Sequence, residues 1–183
     1  MSSPSSGASG VPRDPREAVT IVPATTDDVD TIVELVRELA LFEREPDAVV
    51  ATREDFLRDG FGPSPLFHVL LARHRGVVAG FAFYFFKYST WRGRPSLHLE
   101  DLFVREAHRK HGIASALMAE LAAAALRAQC TRFEWQVLDW NQGAIDFYER
   151  LGAVVQREWL PVRVDGEALV ALAAKAGSHR TNE

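Results

Sequence analysis

The amino-acid sequence predicts an α/β fold of the mixed α+β kind. Val29, Ile32, Val33, Val36, Leu39 and Ala40 recur at helical spacing, so an amphipathic helix stands near the start. Two β-prone runs, 67–72 and 77–86, flank the polar segment Arg73-His74-Arg75-Gly76, which reads as a hairpin. From residue 97 onward strand-like and helix-like segments alternate, which favours helices packed on a sheet.

Taken in order, Val19-Thr20-Ile21-Val22 is a short strand stopped by Pro23. Thr25 or Thr26 caps the following helix, with Asp27 and Asp28 in its positive first turn, and the apolar pattern lasts to about Phe42. A shorter helix is expected over 52–60, where Gly60 would supply a left-handed stop. After the hairpin come a strand over 97–104, an Ala-rich helix over 112–129 and a strand over 133–137. A helix over 142–150 follows, with Gly152 at its end, and two late strands are expected to close the sheet. No internal repeat or domain boundary is visible. Residues 19–175 therefore read as a single domain between a flexible tail over 1–18 and a C-terminal tail over 176–183.

Composition narrows the class. A chain of 183 residues, 47% hydrophobic and 25% charged, is long enough for one well-buried core. No apolar run approaches the roughly 20 residues of a spanning helix. The opening Met1-Ser2-Ser3-Pro4 lacks the basic start of a signal peptide. A single cysteine, Cys130, allows no intrachain disulfide and suits a reducing compartment, so a cytoplasmic location is expected. The net charge of −4 argues against a nucleic-acid partner and fits a cationic substrate; no membrane partner is expected.

The most informative stretch is Leu99-Glu100-Asp101-Leu102-Phe103-Val104, followed by Arg105-Glu106-Ala107-His108-Arg109-Lys110-His111-Gly112-Ile113-Ala114. A strand enters a basic turn, and the turn opens a long helix whose first residues are small. Helix N-termini carry unpaired amide donors and partial positive charge, so they receive phosphate well. Gly112 and Ala114 keep side chains out of the way, and Arg109 and Lys110 add charge beside the cradle. The arrangement suits a pyrophosphate. It does not fit the loop of nucleotide triphosphatases, which needs a longer Gly-bounded turn ending in Gly-Lys-Ser/Thr.

This segment resembles the signature of the GNAT superfamily of N-acetyltransferases: Arg or Gln, two residues, Gly, one residue, Gly or Ala. Arg109, Gly112 and Ala114 supply it. The resemblance extends from about Val19 to about Ala174 and narrows to the spermidine/spermine and thialysine acetyltransferase branch. It is carried by Asp59-Gly60-Phe61-Gly62, Leu99-Glu100-Asp101, Phe103-Val104, and Asn141 through Phe147-Tyr148. Tyr88-Ser89-Thr90-Trp91-Arg92-Gly93-Arg94 and Val137-Leu138-Asp139-Trp140-Asn141-Gln142 are closer to the thialysine side. The resemblance implies a central, mostly antiparallel twisted sheet of about seven strands with about four helices, splayed between the two strands that hold the cofactor. It implies acetyl-CoA as co-substrate, with no metal. Pantetheine would pair with Leu102, Phe103 and Val104, and pyrophosphate would rest on Arg109, Lys110, His111, Gly112, Ile113, Ala114 and Ser115. Asn141, Gln142, Gly143 and Ala144 would contact the CoA arm from the other side. Relatives often carry Gly where this chain has Lys110 and Ala114; Lys110 is expected to cost little provided that its φ stays negative. A homodimer is implied by the resemblance alone.

The chemistry needs a proton acceptor and a proton donor. An alkyl ammonium of pKa ~10.4 must lose a proton before it can attack, and the leaving thiolate must gain one. Glu100 is the candidate base, working through water, while Asp101 should face the other way unless a β-bulge disturbs the alternation. Tyr148 is the candidate acid, the role of the matching Tyr in the resembling family; the alternative is a core residue with its hydroxyl at the rim. For the amine substrate the resemblance points to Phe42 and Glu43, where relatives usually carry Tyr-Glu, and to Glu134, Trp135 and Gln136; Glu100 would face the amine as well. The structural alternatives are a solvated helix end for Glu43 and a core residue for Trp135. The late acidic residue of the family has no clear match in Gln156-Arg157-Glu158-Trp159, which favours short diamines or thialysine-like amino acids over long polyamines. His68, His98 and His111 lack metal-ligand spacing, and Cys130 reads as a packed residue. Phe81, Phe83 and Phe85 read as sheet core or dimer surface. The implied activity is acetyl transfer to a primary amine of a diamine, polyamine or lysine-like amino acid. The alternatives are a CoA-binding sensor without turnover and an acetyltransferase for a peptide amine.

Overall fold

The computed structural model describes residues 18–176. Its packing divides the chain into two compact units, one ending at Gln136 and one beginning at Val137.

The first unit is a five-stranded sheet with three helices. Strand β1 (Thr20–Pro23) leads into a 3-10 turn and helix α1 (Val29–Phe42). Thr25 donates its backbone N–H and its hydroxyl to Asp28, at 2.9 and 3.0 Å, which fixes the entry of the helix. Helix α2 (Arg53–Gly60) is capped by Thr52, whose hydroxyl oxygen accepts from the Asp55 amide at 3.2 Å. Then come β2 (His68–His74), β3 (Val77–Ser89) and β4 (Arg94–Val104). Helix α3 (Ile113–Arg127) and the three-residue strand β5 (Phe133–Trp135) complete the unit. The sheet order is β1-β2-β3-β4-β5, antiparallel throughout except for the parallel pair β4/β5.

Periodicity located most of these elements, and the hairpin is tighter than expected. Only Arg75 and Gly76, both at positive φ (55° and 81°), separate β2 from β3. A second turn joins β3 to β4, where the Arg92 and Gly93 amides donate to the Ser89 carbonyl. Gly60 corrects the expected left-handed stop. It ends α2 without positive φ, and its missing Cβ instead makes room for the Phe67 ring. That ring stacks on Phe83 at 4.2 Å and meets Phe56 edge-on at 6.0 Å. Val29, Ile32, Leu35, Leu71 and Phe81 are wholly buried around it, each contributing about 1.5–3 kcal/mol of burial. The Phe81, Phe83 and Phe85 stripe thus serves the core.

The second unit holds helix α4 (Gln142–Arg150), ended by Gly152 at φ 89°, and helix α5 (Gly166–Ala174). The two late strands are absent among the described residues, so the sheet has five strands rather than about seven, and five helices replace four. Ala168, Leu169, Ala171, Leu172, Ala173 and Ala174 are strong helix formers and account for α5. The tails over 1–17 and 177–183 lie outside the described residues.

Candidate active site

The first unit carries an open strand edge. Strand β5 pairs with β4 only at Leu97↔Phe133, His98↔Glu134 and Leu99↔Trp135. Beyond Leu99, β4 runs on through Glu100, Asp101, Leu102, Phe103 and Val104, with β3 on one side and no β5 partner on the other. This is the expected splay. The register on the β3 side also breaks here: Tyr84 faces Leu99 and Phe83 faces Asp101, so Glu100 is the extra residue of a β-bulge.

The bulge separates two adjacent carboxylates by environment. Glu100 has 54% of its side chain exposed. Asp101 is held in low-dielectric surroundings: burial, then the charges of Glu100 and Glu43, push its carboxyl up to about 7. Glu43 follows the last turn of α1 and is itself raised by burial. Glu43, Glu100 and Asp101 thus form one electrostatically coupled acidic group. The bulge is the disturbance of alternation that brings Asp101 into the group with Glu100, and it depends on a strand register not visible in the sequence.

The turn after β4 is anchored firmly. Arg105 donates from Nε to both oxygens of Glu38 (3.1 and 2.9 Å) and from Nη1 to the Val78 carbonyl at 2.9 Å, while Nη2 pairs with Glu34 at 2.9 Å. Glu38, with Glu34 adding to it, holds the guanidinium pKa above its ordinary value. Glu34 and Glu38 lie four residues apart on α1, a spacing visible in the sequence although its partner was not. Arg109 is exposed and folds back on its own turn: Nε donates to the Val104 carbonyl at 3.0 Å, and its guanidinium lies over the Phe42 ring at 4.9 Å. Phe42 is therefore an aromatic platform for a residue of the basic turn.

Helix α3 opens on Gly112 at φ 77°, which supplies no side-chain cap, and no acidic residue stands in its first turn. Lys110, His111, Gly112 and Ser115 are exposed, Ala114 is half-buried and Ile113 is buried. His111 Nδ1 donates to the Arg109 carbonyl at 2.8 Å. Phe103 is buried and can offer only backbone, while Leu102 and Val104 are half-buried. An anion has free access to this helix start, so the residues present fit a pyrophosphate. Lys110 corrects one expectation. Its φ is +64°, not negative, so it occupies a conformation that costs an L-residue about 1–2 kcal/mol. Lys110→Gly is expected to raise stability by about 1 kcal/mol or less, read as a higher urea midpoint at unchanged slope. A lowered midpoint would refute the strain.

Of the expected amine contacts, Glu134 is already engaged. It pairs with Lys87 at 2.7 Å and Arg132 at 3.8 Å and accepts from Ser96 Oγ at 3.4 Å. Burial pulls its carboxyl upward, but these partners outweigh that and leave it below its ordinary value. Trp135 packs beside Phe133 at 4.8 Å, and Gln136 is exposed. In the second unit, Asn141 caps α4, its Oδ1 accepting from the Ala144 amide at 3.2 Å. Gln142 donates to Asp146 at 2.6 Å, and Gly143 is exposed. Tyr148 is buried beside Phe147, ring centroids 5.3 Å apart. Among the described residues no cluster of three or more His, Cys, Asp or Glu is placed to hold a metal, and no helix is long and apolar enough to cross a membrane.

An open strand edge running into a glycine-entered helix start can receive an extended ligand that ends in a phosphate. Residues 30–153 match the acetyltransferase (GNAT) family, and the chain belongs to it and is an N-acetyltransferase. It is similar to thialysine N-epsilon-acetyltransferase of Sus scrofa, 38% identical over 169 residues, spanning 86% of this chain and 99% of that one. Spermidine/spermine N(1)-acetyltransferase-like protein 1 of Homo sapiens is 35% identical over 160 residues, 82% of this chain and 23% of that one. Among solved structures, an integron cassette protein from the mobile metagenome of V. cholerae superposes with TM-score 0.71 at 28% identity, covering 85% of this chain and 97% of that one.

Proposed function

We propose that this enzyme moves the acetyl group of acetyl-CoA to a primary amine of a small molecule, a thialysine- or lysine-like amino acid in the first place and a short diamine or polyamine in the second. The observation that carries the reading is the end of β4/β5 pairing at Leu99, which leaves the strand edge from Glu100 to Val104 leading to the uncapped start of α3. Such an edge can take a pantetheine arm as an added strand, and the amides from Lys110 to Ser115 can take its pyrophosphate. When bound, acetyl-CoA supplies a thioester that the amine attacks directly, with no covalent enzyme intermediate. The similarity to thialysine acetyltransferases supports the amino-acid amine. The acidic group of Glu43, Glu100 and Asp101 supports a cation, which would relieve their mutual repulsion.

In this reading Glu100 accepts the ammonium proton through water, and Tyr148 returns one to the leaving sulfur. Phe42, Glu43, Trp135 and Gln136 shape the amine site, with Glu134 held at its margin by Lys87. Asn141, Gln142, Gly143 and Ala144 serve the CoA arm. Residues 19–175 act as one catalytic domain in the cytoplasm, without a nucleic-acid or membrane partner. The exposed Trp159, Leu160 and Val162 support a homodimer, which sedimentation at monomer mass would refute.

The decisive experiment is thiol release from acetyl-CoA across a panel of amines: thialysine, lysine, ornithine, putrescine, spermidine and a lysine-bearing peptide. Preference for thialysine by at least tenfold over spermidine is expected. Release with the peptide alone would move the substrate to proteins, and release with no amine would favour a CoA sensor.

A further inference from the structure

His98 Nδ1 is buried without a hydrogen-bond partner in the protein. Such an orphan is costly and calls for a reason. The ring lies against Phe85 at 5.0 Å, with 14% of the side chain exposed. Its other nitrogen, Nε2, is 3.5 Å from Glu100 Oε2, across the bulge that lifts Glu100 out of the ladder. The charged groups around the ring are Lys87 on β3, Glu134 on β5 and Glu100 on its own strand. Burial, then Lys87, hold the imidazole below its ordinary pKa in spite of the two carboxylates, so it is neutral at neutral pH.

A neutral imidazole has one N–H to place. The carboxylate beside Nε2 draws the proton there, and the orphaned Nδ1 is left as a bare lone pair. We propose that His98 is a positioning residue for Glu100: its Nε2–H donates to the carboxylate and fixes the orientation of the bulged side chain. This rests on Glu100 being the base. The bulge alone leaves that side chain exposed and free to rotate. A donor on the same strand limits the rotation at little entropic cost, because the imidazole is itself wedged against Phe85.

Two measurements test the pair separately from the base. Nitrogen NMR of 15N-histidine-labelled enzyme, with the His98 signals assigned by their loss in His98→Gln, reads the tautomer without turnover. The Nε2–H form is expected at pH 7 to 8, with the preference eroded in Glu100→Gln. A predominant Nδ1–H form, or a tautomer indifferent to Glu100→Gln, would overturn the proposal. The second measurement is kcat/KM with thialysine and acetyl-CoA in paired variants. Without its donor the carboxylate is no longer held in place, so His98→Phe should lower kcat/KM by about fivefold or more and have little further effect in Glu100→Gln. His98→Gln, which keeps an N–H near the same place, should restore the rate. If His98→Phe lowers the rate equally in both backgrounds, the residue is structural and the proposal fails. If Glu100→Gln keeps full activity while the tautomer result stands, it is the base assignment that fails.

Discussion

Tyr148→Phe is expected to lower turnover at least tenfold while acetyl-CoA affinity stays within a few-fold. The substitution removes one oxygen and no carbon from a buried side chain, so α4 keeps its packing. A thiolate of pKa ~8–9 can leave unprotonated, but a positioned phenol that donates as the carbon–sulfur bond breaks contributes typically 10²–10³-fold. The loss should fall on kcat, because a donor to the leaving group acts only in the transition state. Stopped assays of thiol release, with binding read from the rise in melting temperature with acetyl-CoA, separate the two quantities. Unchanged turnover would remove Tyr148 from the mechanism, and a fall in melting temperature matching the activity loss would return it to the core.

Much of the frame was legible because local physics and final structure agree. The apolar spacing of α1, the Thr52 cap of α2 and the Gly112 entry of α3 are decided within a few residues. Arg109, Gly112 and Ala114 could therefore be read as a turn into a helix start before any strand was paired. Features that need a distant partner were not legible. The bulge at Glu100 depends on the β3 register, and the 3.5 Å approach of His98 depends on the bulge. The stacking of Arg109 on Phe42 joins residues from opposite ends of the first unit's chemistry. The resemblance places Glu134 among the amine contacts, and nothing local reveals that Lys87, two strands away in sheet order, pairs with it. No described strand follows Trp135; between Gly166 and Ala174, where helix formers outnumber β-branched residues, the chain forms α5.

Asp101→Asn is expected to change how stability depends on pH. In the folded enzyme burial, reinforced by Glu100 and Glu43, raises the Asp101 carboxyl from 3.8 to about 7. Between those pH values the unfolded chain has released this proton and the native state still holds it, so stability falls as pH rises. The contribution is fully present below about pH 4 and is lost once pH passes about 7. At about 1.4 kcal/mol per pH unit, the loss reaches about 4 kcal/mol at most by pH 8. An uncharged Asn of similar shape carries no such slope. Melting curves of the two proteins should therefore diverge between pH 4 and 7, with the variant the more stable at pH 8. Its amine affinity should fall, because one charge of the acidic group is gone. An ammonium bound beside the trio offsets the same repulsion, so saturating thialysine at pH 8 should raise the melting temperature of the wild type by more than that of the variant. Parallel curves for the two proteins would show that Asp101 is already ionised and well solvated, and the coupled acidic site would lose its central member.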